Sequence, residues 1–521
     1  MVTKLRLALG AVLVLCLAVI VVPNSADAKS SKSCDKRNNN TVDKLVECVT
    51  IEGVRAHQAA FQAIADANDG NRAAGTSGYD ETVDYVVEVL EAAGYDVELN
   101  EFPFTFTALG ELEQLTPVAV DYDTGSFSGS GTGEVIGNVI PVDLSLDDPA
   151  SSTSGCEAAD FEGIDWSGDS DIALVQRGAC FFSQKANNAE AAGAEAIIIF
   201  NQGTPGREGP VSGNATNNPD GTPSSIGIPM VGAPFAAGAA LSVDGATARV
   251  AIAPAVETTQ VNVLAELPGK NDDNVVMAGA HLDSVQQGPG VQDNGSGSAA
   301  ILEAAVQMAK VKPTNTVRFA WWGAEESGLI GSTQYVAGLS EDELDDIALY
   351  LNFDMIGSPN FVYFIYDGDD SDGVGAGAGP EGSAQIEKFF EGFYEARDIP
   401  YLGTDFSGRS DYGPFIAQGI PAGGLFTGAE VLKTEEQAEI WGGTAGDQYD
   451  PCYHLACDTF DNVSLEALDV NSDAVAASVL NYAMSTEEIN GERGKGNFKL
   501  ENRDFGEDHH DHHMHAHDMM D

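Results

Sequence analysis

The chain has 521 residues, 43% of them hydrophobic and 8% aromatic, which excludes a single small module and a disordered chain and predicts roughly three structural units. Lys and Arg total 25 against 81 Asp and Glu, a formal net charge of −56. Binding nucleic acid or an anionic membrane surface relies on clustered basic residues, so both roles are excluded and the charge reads as solubility.

The N-terminus has the form of a signal peptide over residues 1–28: Lys4 and Arg6, an unbroken apolar run over 7–22, then Ala26-Asp27-Ala28 as a small-x-small cleavage site. The run is shorter than the ~20 apolar residues that span a bilayer, so secretion to an extracellular or periplasmic space is expected, with no stable membrane insertion after processing. Leu15 ahead of Cys16 disfavours lipoprotein processing. The six remaining cysteines suit disulfides in an oxidising compartment. Proximity pairs Cys34 with Cys48, Cys156 with Cys180 and Cys452 with Cys457. A zinc–thiolate site is the alternative, disfavoured because no CxxC pair occurs.

After a polar linker at 29–40, the stripe Val83, Val86, Val87, Leu90 predicts a helix that Gly94 ends. Val97 and Leu99, then Phe102, Phe104 and Phe106, predict a half-buried strand. From about 110 to 254 the composition shifts to Gly, Ser, Thr and short β-like runs, with helical spacing only near 184–193, which predicts a separate, mostly β unit. Beyond 261 an α/β rhythm returns, with strands expected at 275–280, 317–322 and 347–353 and helices near 299–310, 384–397 and 474–483. Strands separated by helices predict an α/β fold with a mainly parallel sheet covered on both faces. Residues 41–105 are too short for such a domain alone. One domain built from 41–110 and 256–490 and interrupted by an insert at 111–255 is therefore expected. The 491–521 tail holds six of the nine histidines among Asp and Met, and is expected to be disordered, either binding metal weakly or remaining a solvated charge run.

Of the three histidines in the body, His281 and His454 sit in polar motifs at element ends, whereas His57 does not. His281 follows the expected 275–280 strand, and Asp283 at i+2 points to the same side, where it can accept the second imidazole N–H as a carboxylate behind a metal-bound histidine does. Alone, His-x-Asp also fits an ordinary loop. Asp293 lies in Asp293-Asn294-Gly295-Ser296-Gly297, which alone also reads as plain turn chemistry. Glu325 and Glu326 follow the 317–322 strand; adjacent carboxylates repel unless a cation or shared proton intervenes, and can aim at different sites, one binding metal while the other handles a proton. Asp354 ends the 347–353 strand, and His454 lies between Cys452 and Cys457. Ligands at the carboxyl ends of successive parallel strands converge on one crevice. Two histidines and three carboxylates suit a pair of borderline metal ions, which a carboxylate bridge would hold ~3.5–4 Å apart.

His281-Leu282-Asp283-Ser284, Asp293-Asn294-Gly295-Ser296-Gly297, Gly323-Ala324-Glu325-Glu326-Ser327-Gly328, Asn352-Phe353-Asp354-Met355 and Tyr453-His454 together resemble the M28 family of dizinc exopeptidases, in order and spacing over most of 41–490. Asp171-Ile172-Ala173-Leu174-Val175-Gln176-Arg177-Gly178, Cys180-Phe181-Phe182 and Ala191-Ala192-Gly193-Ala194 are similar to the protease-associated (PA) domain, expected either to control substrate access or simply to pack. The resemblance implies a zinc exopeptidase fold with two zinc ions, Asp293 bridging them, His281 and Asp354 completing one site and Glu326 and His454 the other. It implies peptide hydrolysis by a metal-bridging hydroxide, with Glu325 as general base and Tyr453 steadying the oxyanion. The Cys452–Cys457 loop, Ser407-Gly408-Arg409-Ser410-Asp411 and Gly424-Leu425-Phe426-Thr427-Gly428 look like the secreted aminopeptidase branch, where Arg409 would orient the substrate terminus and Phe426 line the side-chain pocket. Peptide or protein N-termini with apolar residues are then the expected substrates. The alternatives are a PA-containing carboxypeptidase of the glutamate-carboxypeptidase type, whose pocket would be strongly basic, and a non-catalytic receptor-like relative, which would lack metal ligands. A one-zinc glutaminyl cyclase is disfavoured by the complete ligand set. Oligomeric state carries no signal in the sequence.

Overall fold

The computed structural model describes Cys34 and residues 36–168, 170–375 and 377–491. The expected signal peptide, half of the linker before 41 (29–33 and 35) and the His-rich tail from 492 lie outside the described residues. None of the described helices is long and apolar enough to cross a membrane.

Eight strands form a mixed sheet in the order Val97–Phe106, Val256–Leu267, Asn315–Trp322, Asn271–His281, Ile347–Phe353, Ala422–Phe426, Phe364–Tyr366, Leu402–Thr404. The four central strands, from Asn315–Trp322 to Ala422–Phe426, run parallel, while Val97–Phe106 and Val256–Leu267 add antiparallel at one edge. The chain therefore leaves this sheet at Phe106 and re-enters beside the same strand at Val256. Alternate residues of the central strand face opposite layers. Val276, Ala278 and Ala280 pack under the helices Ile51–Ala67, Ser77–Ala93, Gly295–Met308 and Leu465–Met484, whereas Val275 and Met277 meet Tyr335, Val336 and Phe415 on the other face.

Between these strands a seven-stranded sheet runs Val120–Tyr122, Glu111–Thr116, Thr247–Ile252, Gly133–Pro141, Asp171–Gln176, Ala196–Phe200, Met230–Ala233. Helix Phe182–Ala192 covers one face and Phe235–Leu241 the other. The second helix was not expected, because its segment, Phe-Ala-Ala-Gly-Ala-Ala-Leu, is built from small residues that leave no contrast between faces. All three cysteine pairs are disulfides: Cys34–Cys48, Cys156–Cys180 and Cys452–Cys457.

Two expectations are corrected. Leu99 does not share the buried face; it is 47% exposed, because Phe102 and Phe104 have the opposite parity and take the inward face of this edge strand. The helix expected to start near 299 begins at Gly295, because the Asn294 side chain caps it by accepting from Gly297 N at 3.0 Å.

Candidate active site

His281 is the last residue of the central strand and pairs in register with Trp322 on the next. Glu325 and Glu326 lie just beyond Trp322, and Asp354 directly follows Phe353 on the neighbouring strand across from it. Three adjacent parallel strands thus deliver four side chains to one sheet edge, where the crevice of an open α/β sheet forms. Asp293 arrives from the start of helix Gly295–Met308, and Asn294 ties that start to the Asp354 strand: its Nδ2 donates to Phe353 O at 2.9 Å and its Oδ1 accepts from Met355 N at 3.2 Å. His454 comes from the small loop closed by Cys452–Cys457.

Backbone strain concentrates here. Ala324, Met355 and His454 all have left-handed φ, at 56°, 52° and 57°, costing about 1–2 kcal/mol each for a non-glycine residue. Each is itself one of the convergent residues or its immediate neighbour. The surrounding staples overcome this cost: the disulfide and the Asp450 carboxylate, which accepts from Cys452 N, hold the His454 loop.

The convergence is close. His281 Nε2 lies 3.2 Å from Asp293 Oδ1 and 3.4 Å from Asp354 Oδ1; His454 Nε2 lies 3.2 Å from Asp293 Oδ2 and 3.0 Å from Glu326 Oε2. His281, Asp293 and Asp354 form one set of potential metal ligands, and Asp293, Glu326 and His454 a second, with Asp293 common to both. Glu325 Oε2 stands 3.9 Å from His281 Nε2. The Tyr453 and His454 rings stack with centroids 3.8 Å apart.

Asp283 stands behind His281, its Oδ1 3.7 Å from Nδ1, and it also serves the glutamate turn. Its own backbone carbonyl, 3.1 Å away, partners His281 Nδ1, while its carboxylate accepts from Glu325 N at 3.1 Å and Glu326 N at 3.4 Å.

Burial works against the charges in this pocket, least directly at His454, whose side chain is 39% exposed. It would lower the His281 and His454 imidazoles, but Asp354 and Glu325 around the first, and Glu326 and Asp293 around the second, raise both well above the usual range. Burial would raise Asp293, yet the two imidazoles hold it well below the usual carboxylate range. Burial, with Glu326 adding repulsion against the pull of His281, pushes Glu325 well up; burial likewise raises Glu326 despite His454. Burial lifts Asp411 behind His281 to about 7. Glu326 Oε1 and Asp354 Oδ1 are buried with no hydrogen-bond donor among the described residues. A cation between the carboxylates would satisfy both oxygens and offset the repulsion, and a set of two imidazoles and three carboxylates matches the donor chemistry of zinc.

Arg409 extends toward this pocket but ends on Glu430, with Nη1 2.9 Å from Oε1. Phe426 is half-buried and stacks on Phe364 with centroids 6.1 Å apart. His57 lies elsewhere, between Tyr85 OH at 2.8 Å and Glu303 Oε2 at 3.4 Å. Sequence reasoning assigned no role to Ser410, which donates to Asp354 Oδ2 at 2.6 Å and accepts from Asn352 Nδ2 at 2.9 Å, although it stands in a quoted motif. Asp458, which accepts from Gln292 N and Asp293 N at 2.9 and 3.0 Å, was also missed. Its one signal was its place directly after Cys457.

A model of peptidase family M28 matches residues 262–479, and a PA domain model matches 135–241. An aminopeptidase of Pseudomonas aeruginosa is 47% identical over 470 residues, covering 88% of this chain and 86% of that protein. Leucine aminopeptidase 2 of Trichophyton rubrum is 38% identical over 452 residues, covering 85% and 86%. Among solved structures, a zinc aminopeptidase from Bacillus subtilis superposes with a TM-score of 0.64 at 26% identity, covering 83% of this chain and 95% of that one. With 47% identity across most of both sequences, and a family match over the segment that carries all six convergent side chains, the chain belongs to peptidase family M28 and holds a PA domain within it.

Proposed function

We propose that the protein is an exported zinc aminopeptidase that releases apolar N-terminal residues from peptides. His281, Asp293 and Asp354 would hold one zinc ion, Asp293, Glu326 and His454 the other, with Glu325 as the general base. The observation that carries this reading is Asp293, whose two oxygens each face a different histidine and so can serve two ions at once. The names of the Pseudomonas and Trichophyton relatives support removal of residues from the N-terminus, and that of the Bacillus structure supports zinc. Three disulfides support export to an oxidising compartment.

When bound, the zinc ions supply Lewis acidity to the scissile carbonyl and to the attacking water. Glu325 clusters with His281 and Glu326 but not with the shared Asp293, and in this reading its carboxylate takes the proton of that water and returns it to the leaving amine. Tyr453 donates its O–H to the developing oxyanion; burial first, then nearby Asp293 and Glu326, raise the phenol well above its usual range and keep that proton in place. Arg409, steadied by Glu430, orients the substrate terminus, and Phe426 with Phe364 forms an apolar wall for the side chain of the released residue.

The test is hydrolysis of leucine p-nitroanilide and its N-acetylated counterpart by the purified protein, before and after chelation and zinc addition. Cleavage of the free-amine substrate alone, abolished by chelator and restored by zinc, is expected. Cleavage of neither, together with release of acidic C-terminal residues from peptides, would replace this reading with a carboxypeptidase.

A further inference from the structure

Arg72 is a fully buried cation that the proposed chemistry does not use. It lies between helices Ile51–Ala67 and Ser77–Ala93 at 0% exposure. Its guanidinium spends its donors on three backbone carbonyls: Nε on Pro289 O at 2.9 Å, Nη2 on Gly290 O at 2.7 Å, and Nη1 on Leu282 O. Its backbone N–H donates to Ser284 Oγ at 2.9 Å, and the Phe61 ring lies 5.1 Å from the guanidinium carbon.

Those carbonyls belong to two segments. Leu282 directly follows His281, while Pro289 and Gly290 lead into Asp293. The Gly290 carbonyl also accepts from Gly295 N at 3.0 Å, so one oxygen joins Arg72 to the start of the helix after Asp293. Gly290 has φ +60°, and a Cβ there would collide with the Asp293 carbonyl oxygen and come within 3.2 Å of Arg72 Nη2, so no side chain fits between them. A planar guanidinium holds its donors in a rigid fork, which fixes the relative placement of everything it binds. Burial lowers Arg72 to about 10 against the pull of Asp283, Asp458 and Asp293, which leaves it charged at neutral pH.

We infer that Arg72 is a positioning residue for the metal centre, setting the spacing between the His281 and Asp293 segments through their backbone carbonyls. The inference rests on the dizinc reading above. Its sign separates positioning from charge. Removing a cation from beneath Asp293 would, by electrostatics alone, tighten zinc binding, whereas losing the fork loosens it.

The experiment uses the full chain stripped of metal, titrated with zinc against a competing chromophoric chelator, with thermal unfolding of the metal-free form recorded alongside. Arg72→Met is expected to weaken zinc binding by about tenfold or more, the usual scale for residues behind metal ligands. Arg72→Lys is expected to weaken it too, because an ammonium keeps the charge but cannot span three carbonyls. A purely structural role would lower the metal-free unfolding temperature and leave the zinc affinity of folded molecules unchanged. Unchanged or tighter binding by folded Arg72→Met overturns the inference. Should that variant not fold, unchanged affinity in Arg72→Lys overturns it and weakened affinity upholds it. A wild-type chain that takes up no zinc refutes the dizinc reading itself, a separate result.

Discussion

The Asp293 carboxylate faces two imidazoles, each 3.2 Å from a different oxygen, so its removal takes a ligand from both candidate sites at once. Asp293→Ala is therefore expected to lose bound zinc as well as activity; elemental analysis showing full zinc retention would count against the bridge. Glu325 stands outside the Asp293-centred sets, and the opposite split is expected of Glu325→Gln: zinc retained, with kcat down by about 10²–10⁴-fold in steady-state assays. Near-normal turnover there would remove Glu325 from the general-base role. These side chains were legible because each stands in a short polar motif at the end of an apolar run. Arg72 and Asp458 were not, because they act on carbonyls and amides, which every residue has and no motif records. Asp283 shows the same limit: its place beside the imidazole was readable, but its further role of accepting from the amides of Glu325 and Glu326, 42 and 43 residues away, depended on where their strand ends.

Elements with contrasting faces were visible in the sequence, and those without contrast were not. The stripe from Val83 to Leu90 lies in helix Ser77–Ala93, which ends at Gly94, whereas helix Leu465–Met484 extends well before the expected 474 because its first half mixes charged and polar residues with its apolar ones. Asp473 lies in that helix. Burial, reinforced by Asp469 and opposed by Arg397, raises its carboxyl to about 7. Such a group keeps its proton in the fold at pH values where the unfolded chain has released it. Stability therefore falls as pH rises from about 4 to about 7, and stays reduced above that. Asp473→Asn removes the buried charge and is expected to be more stable than wild type at pH 8, by about 1–2 kcal/mol after allowing for solvent screening, with the difference vanishing near pH 4. Thermal or urea unfolding at the two pH values checks this; equal stability at pH 8 would mean that solvent already screens the carboxylate.

At the scale of the molecule, a formal charge of −56 means that compaction works against self-repulsion, which salt screens within about 10 Å at 0.1 M. The metal-free protein is expected to unfold at a higher temperature as sodium chloride is raised from low to near-molar concentration, and a flat calorimetric profile would show that local ion pairs already balance the charge. Loops of the two units meet close to the active site: Gln287 Nε2 donates to Thr124 O at 3.4 Å, and Gly209 of the inserted unit faces Leu455, next to His454. No sequence pattern announced that contact, since it joins residues more than 160 positions apart. The sequence by itself determined the α/β class, the cysteine partners and the identity of the convergent side chains, because hydrophobic period, chain proximity and residue chemistry are local properties. Only the tertiary structure decided that Asp293 faces both histidines, that Asp283 serves the glutamate turn, and that Arg72 fastens the His281 and Asp293 segments together, because each depends on distances set by sheet register and loop closure.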